Sequence, residues 1–298
     1  MIDHRILITG AHSYLGSRVT QYLLSKSNYD IYALVTPWSE GLNQGTESGR
    51  LHYLRYDLTQ PFSPEIKALL ASVGHVFHFA WVRGHNLQRV TELNENIIDS
   101  LMEPMSDPSR FYFFSSVGAA PGASSTYGLA KWNAMNLVRA KGGSVLVCGL
   151  VVDLEPKGPF KMLCTFVEKL PISLRSADGE PRIYPVHIND VLACVQHTVE
   201  INPSPGNYKI FITGGLDFNQ FLAKLEERYP KTRIKITLNL QYILRSVALI
   251  KRSRLAPQGL SDRILTFLYK DDDYLRSHNE IPGINLKELS NDFSVKIQ

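Results

Sequence analysis

Tyr127 and Lys131 stand four residues apart in Thr126-Tyr127-Gly128-Leu129-Ala130-Lys131, a stretch that reads as helix, so the two side chains share one face. An ammonium beside a phenol stabilises the phenolate and brings the tyrosine toward the range in which it exchanges a proton near neutral pH. Upstream, the aromatic run Arg110-Phe111-Tyr112-Phe113-Phe114 closes on two hydroxyls, Ser115 and Ser116. Serine, tyrosine and lysine in this order could move a proton on and off a substrate oxygen. The spacing of Tyr127 and Lys131 alone also fits an ordinary surface helix, so the rest of the chain has to decide between the two.

A second group of residues lies at the start. The apolar run Arg5-Ile6-Leu7-Ile8-Thr9 breaks at Gly10-Ala11-His12-Ser13 and resumes with helical periodicity at Tyr14-Leu15-Gly16. A buried strand, a tight turn and a helix start follow from that pattern. Helix starts leave backbone N–H groups without internal partners, and small residues before them let a phosphate approach. The spacing G-x-x-S-x-x-G is one residue off the dinucleotide fingerprint, with Ser13 between the two glycines.

Strands and helices must alternate to place these groups together. Helices are predicted over Tyr14–Ser25, Pro64–Ala71, Leu87–Met102 and Ser124–Ala140. Strands are predicted at Ile31–Val35, Leu51–Tyr56, His75–Ala80, Arg110–Ser116 and Val145–Val152. The expected fold class is α/β, a doubly wound parallel sheet with its ligands at the carboxyl ends of the strands. A linker at Pro156, Gly158 and Pro159 divides a dinucleotide domain, 1–155, from a smaller α/β substrate lobe, 156–298, some of whose segments return to the main sheet. In the lobe, a helix over Phe160–Leu170 is followed by one capped at Asn189 or Asp190, a strand at Tyr208–Ile212, a helix at Phe218–Glu227 and a strand at Arg233–Leu238.

Composition narrows the function classes. The 298 residues carry a net charge of +4, too little to imply nucleic acid, and the three cysteines form no C-x-x-C pair and read as reduced core residues of a cytoplasmic protein. No apolar run approaches the roughly 18 residues of a membrane-spanning helix, and no secretory leader is apparent. Nine histidines include no H-E-x-x-H, so no metal is expected, and the absence of G-x-S-x-G argues against a serine hydrolase. Between Lys231 and Lys270, nine basic residues face a single acid, Asp262. With Leu240, Ile243, Leu244 and Val247 at helical spacing, this segment reads either as a lobe helix with a solvated basic end or as a peripheral membrane contact.

Thr9-Gly10-Ala11 with Gly16, Asp57-Leu58, His78-Phe79-Ala80, Ser115-Ser116, Tyr127 with Lys131, and Val186-His187-Ile188-Asn189-Asp190-Val191 together resemble the extended short-chain dehydrogenases/reductases, the NAD-dependent epimerase/dehydratase family. The resemblance implies NAD or NADP as cofactor and a nucleotide-linked sugar as substrate, with a homodimer as the expected assembly. By the same resemblance Gly10, Ser13, Tyr14, Leu15 and Gly16 face the pyrophosphate, Thr36 the adenosine ribose, Asp57 and Leu58 the adenine, and Ala80, Trp81 and Ser115 the middle of the cofactor. Leu150 and Val151 pass beside the nicotinamide. Ser116 holds the reacting oxygen, Tyr127 exchanges its proton, and Lys131 holds the nicotinamide ribose and tunes Tyr127. Asn96 is the expected polar brace on the preceding helix, with Asn94 the alternative.

Three departures shape the expectation. Thr36 stands where an acid often meets the ribose, which favours NADP, yet no arginine is expected beside it to hold a 2′-phosphate, so both cofactors stay open. Tyr127 follows Ser116 by only 11 positions, a short separation for the family. Val117-Gly118 replaces the acids that dehydratases carry, which leaves 4-epimerisation or 4-keto reduction. The competing reading is a protein that binds NAD(P) as a redox sensor or assembly factor without catalysis.

Overall fold

Strands rich in Val, Ile, Leu and Phe that are buried on both faces belong in a parallel sheet covered by helices. The computed structural model describes residues 4–39, 49–239, 265–267 and 269–286. In chain order it contains β1 (Arg5–Thr9), α1 (Tyr14–Lys26), β2 (Asp30–Val35), β3 (Leu51–Arg55), α2 (Pro64–Ser72), β4 (His75–His78), α3 (Leu87–Met102) and β5 (Phe111–Ser116). There follow α4 (Thr126–Ala140), β6 (Ser144–Cys148), β7 (Leu150–Val152), α5 (Gly158–Lys169), β8 (Ile172–Ser176), β9 (Pro185–His187), α6 (Ile188–Ile201), β10 (Asn207–Ile210), α7 (Phe218–Glu227) and β11 (Ile234–Leu238). The main sheet runs β10-β6-β5-β4-β1-β2-β3, a parallel, Rossmann-like arrangement. Its order reverses between β1 and β4, the point where doubly wound sheets bind ligands. There Thr9 pairs with Leu34 on one side and His78 on the other.

Two compact units make up the chain: Met1–Ser115 with Ala130–Leu146 and Leu192–Tyr208, and Ser116–Leu129 with Val147–Val191 and Lys209–Gln298. The first holds the core of β1, β2, β4 and most of β5, with α1 and α3 packed on it. The second is built on an apolar cluster of Val152, Phe160, Cys164, Val167, Ile183, Ile212, Phe221, Leu222 and Leu225. In that unit β8 pairs with β11 and β7 with β9, both in parallel.

Two local expectations change. The apolar run Val145–Val152 is not one strand but two, β6 and β7, broken at Gly149. There the backbone changes sheets: Gly149 N–H donates to Ile210 C=O at 3.1 Å, while Leu150 N–H donates to Tyr184 C=O at 2.7 Å. A Cβ at Gly149 would lie 2.1 Å from the Tyr184 oxygen, so the crossing needs glycine. Likewise α6 starts at Ile188, ahead of the expected caps, and the His187 Nδ1 accepts the Asn189 N–H at 3.2 Å. The helix predicted from Leu240 onward lies outside the described residues.

Two buried histidines give the first unit a pH dependence. Burial, reinforced by Arg110, lowers His75 to about 4; burial, reinforced by Lys131, lowers His78 to about 3. Both are therefore neutral in the folded protein, while the unfolded chain takes up protons below about 6.5. Stability should thus fall as pH drops from about 6.5 toward 4. The His75 ring stacks on Tyr112 at 5.9 Å and its Nδ1 has no hydrogen-bond partner among the described residues, so phenylalanine can replace it. His75→Phe is expected to recover about 3 kcal/mol of that loss near pH 4. A circular-dichroism acid titration would show its midpoint moved to lower pH, and an unmoved midpoint would refute the assignment.

Candidate cofactor and catalytic site

The turn after β1 is shaped by two glycines. Gly10 has φ +66° and donates its N–H to Leu34 C=O at 3.1 Å, and a Cβ there would lie 2.7 Å from the Ala80 nitrogen. Gly16 sits so close to the turn that a Cβ would lie 2.3 Å from the Gly10 oxygen. Between them Ser13 is the N-cap of α1, its Oγ accepting the Gly16 N–H at 3.2 Å. That leaves the hydroxyl hydrogen available to donate outward. Ser13 is exposed, Tyr14 and Leu15 are half-buried, and the first turn of α1 carries no acid. A bare, positively polarised helix start of this kind fits a pyrophosphate. Gly16→Ala should lower thermal stability and abolish dinucleotide binding, because a backbone oxygen at 2.3 Å cannot yield as a side chain would. Calorimetric titration and a melting curve would check both effects.

At the ribose end, Thr36 follows β2 and its Oγ1 hydrogen-bonds Ser39 Oγ at 2.8 Å. Asp57 accepts both the Thr59 N–H and its hydroxyl on Oδ1, and these bonds lower its pKa. Leu58 is half-buried beside it. Sequence order hides one residue here. Because β2 and β3 pair in parallel with Val35 opposite Arg55, an arginine does stand beside Thr36. Its Nη1 donates to Pro37 C=O at 3.0 Å and Ser39 C=O at 2.5 Å.

The end of β4 is fixed from two sides. The Thr9 hydroxyl shares a 2.6 Å hydrogen bond with His78 Nδ1 and accepts the Ala80 N–H at 3.4 Å. On α3, Asn94 is buried: its Oδ1 accepts the Val82 N–H at 3.0 Å, while its Nδ2 donates to Val82 C=O at 3.0 Å and Val90 C=O at 2.7 Å. Asn96 faces outward and is exposed, so the side chain that braces this segment is Asn94 and not the expected Asn96. The braced segment carries Trp81, whose ring covers Lys131: the Lys131 Nζ lies 4.2 Å from the Trp81 centroid and 4.3 Å from that of Phe113. The same nitrogen donates to Phe114 C=O at 2.7 Å. Burial, with Arg83 adding to it, lowers Lys131 to about 7, so at neutral pH the group is poised between its two forms. Nearby Ser115 is buried, and its Oγ has no partner among the described residues.

In the second unit, Ser116 Oγ accepts the Gly118 N–H at 3.2 Å. Ser125 Oγ accepts the Gly128 N–H at 3.0 Å at the start of α4 and receives a hydrogen bond from Thr266 Oγ1 at 2.7 Å. Gly128 has no room for a side chain, since a Cβ would lie 2.4 Å from the Gly118 oxygen. Tyr127 is half-buried in the first turn of α4, one turn ahead of Lys131. Leu150 and Val151 are half-buried in β7, opposite Pro185 and Val186.

The basic segment resolves in part into local anchors. Lys231 donates to Glu168 C=O, and Arg233 to the carbonyls of Lys231, Val167 and Tyr229. Lys270 donates to those of Thr266, Phe267 and Tyr269. Arg245, Lys251, Arg252, Arg254 and Arg263 lie outside the described residues. Among the described residues no cluster of three His, Cys, Asp or Glu could hold a metal ion, no helix is long and apolar enough to cross a membrane, and all three cysteines are buried thiols.

A parallel sheet with a glycine turn at its switch point is a Rossmann-like α/β arrangement. Residues 6–147, a little under half of the chain, match the model of the NAD dependent epimerase/dehydratase family. Among solved structures the chain is similar to UDP-glucose 4-epimerase of Thermotoga maritima with UDP-glucose (19% identity, TM-score 0.60, 78% of this chain and 85% of that one). It is also similar to a putative epimerase from Burkholderia cenocepacia (14% identity, TM-score 0.66, 98% and 96%). A third is a UDP-glucuronic acid 4-epimerase variant from Bacillus cereus in complex with NAD (17% identity, TM-score 0.58, 91% and 99%). At these identities the likeness shows the fold. No curated protein sequence matches.

Proposed function

We propose that the protein is an NAD(P)-dependent enzyme acting on a nucleotide-linked sugar, as a 4-epimerase or 4-ketoreductase. The observation that carries this reading is Lys131: buried, held between Trp81 and Phe113 and lowered to about 7, on the helix that carries Tyr127 one turn earlier. Burying a cation costs free energy, so a lysine buried against two aromatic rings at this place points to chemistry rather than stability. Gly10, Ser13 and Gly16 would hold the pyrophosphate of the cofactor, Thr36 the adenosine ribose, and Asp57 and Leu58 the adenine. When bound, the nicotinamide supplies a hydride acceptor or donor for the sugar carbon. Tyr127 takes or returns the proton of the sugar hydroxyl, Ser116 orients that oxygen, and the Lys131 charge keeps the Tyr127 phenolate accessible near neutral pH. The absence of an acid at Val117-Gly118 favours this outcome over elimination of water. Support for the substrate class comes from the sugar-nucleotide epimerases of like fold. The domain reading belongs to the same proposal, with the second unit selecting the sugar; the cytoplasm and a homodimer complete it.

The test is incubation of the protein with NAD or NADP and a panel of nucleotide sugars and their 4-keto forms, following nicotinamide absorbance and product stereochemistry. Epimerisation leaves the cofactor unchanged overall, whereas reduction consumes it. Dinucleotide binding without conversion of any sugar would instead favour the non-catalytic reading.

A further inference from the structure

From the parallel register of β2 and β3 we infer a 2′-phosphate site formed by Arg55, Thr36 and Ser39, which makes this chain selective for NADP over NAD; the inference rests on the dinucleotide reading above. In doubly wound folds the adenosine ribose reaches the end of β2, where a carboxylate binds the 2′-hydroxyl and an arginine accepts a 2′-phosphate. Here that position is Thr36, whose hydroxyl is paired with that of Ser39 at 2.8 Å. The pair carries no negative charge and has one hydroxyl hydrogen left to donate, the other being spent between Thr36 and Ser39. Arg55 closes the arrangement from the neighbouring strand, opposite Val35. One of its nitrogens, Nη1, is anchored on the carbonyls of Pro37 and Ser39, directly after Thr36. Among the described residues Arg55 has no carboxylate partner, and its Nε and Nη2 make no hydrogen bond. Two carbonyls thus hold the guanidinium in place while two of its donor nitrogens stay available, the geometry in which arginine binds phosphate with two parallel bonds. The pyrophosphate belongs to the start of α1, so the anion that fits here is a separate one, on the ribose.

Calorimetric titration with NADP⁺, NAD⁺, 2′-phospho-AMP and AMP tests the site. The intact protein should bind NADP⁺ about ten- to a hundredfold more tightly than NAD⁺, the range of a charge-assisted pair. The same preference should appear for 2′-phospho-AMP over AMP, and it should shrink as salt rises. Arg55→Gln should remove the preference and leave NAD⁺ affinity intact, which also verifies the fold. Thr36→Asp should turn the preference toward NAD⁺. Equal or tighter binding of NAD⁺ by the intact protein overturns the inference and leaves the cofactor reading standing, as does an Arg55→Gln variant that weakens both cofactors equally. Failure of both dinucleotides to bind overturns the cofactor reading together with this one.

Discussion

Tyr127→Phe is expected to reduce turnover by about 10²–10⁴-fold, the usual contribution of a positioned proton donor and acceptor, with dinucleotide affinity unchanged within about twofold. The phenol hydroxyl is the only atom lost, and the ring still fills its half-buried place in the first turn of α4. Next to it Gly128, which cannot carry a side chain, and the Ser125 cap hold the helix start regardless of the hydroxyl. The loss should appear in kcat rather than in cofactor binding, since the proton moves only in the reacting complex. Steady-state kinetics on the converted nucleotide sugar, paired with cofactor titration, separates the two. Undiminished turnover would remove Tyr127 from the mechanism.

Asn94→Leu carries the second large effect. Three hydrogen bonds disappear at once, and the Val82 N–H and C=O lose their side-chain partner in a partly buried setting. A loss of about 2–4 kcal/mol follows from leaving such groups unsatisfied. Because the segment behind Ala80 carries Trp81, one wall of the Lys131 site, dinucleotide binding and turnover should weaken as well. Asn96→Ala, on the exposed side of the same helix, should change stability by less than about 0.5 kcal/mol. Chemical denaturation of the two variants decides between the asparagines; equal effects would mean that neither braces the site.

The pair of asparagines shows a legible signal that the family resemblance overrode. Helical periodicity places α3 over Leu87–Met102, and Asn94 falls on the apolar stripe of Val90, Ile97, Ile98 and Leu101, whereas Asn96, two positions on, lies about 200° round the helix. The fold itself was legible, because strands such as Arg5–Thr9 and His75–His78 are short apolar runs punctuated by helices, and that alternation leaves few topologies. The glycine turn was legible for the same reason, being local. Arg55 was not, since its nearness to Thr36 exists only through the parallel pairing of β2 and β3. Gly149 was hidden differently: an apolar run reads as one strand, and only Tyr184 from a distant segment shows that the backbone must change sheets there. The cation–aromatic enclosure of Lys131 by Trp81 and Phe113 likewise joins three separate elements and leaves no local signal.

The most direct test of the central claim follows deuterium from carbon 4 of a nucleotide sugar. Protein loaded with oxidised cofactor is mixed with the labelled sugar, quenched within a single turnover, and the cofactor and product are weighed by mass spectrometry. Deuterium is expected on the nicotinamide at early times, returning to carbon 4 of the product in an epimerase and staying on the cofactor in a 4-ketoreductase run in reverse, with the transfer lost in Tyr127→Phe. Product formed while the nicotinamide never acquires the label, or label lost to solvent, would contradict that claim.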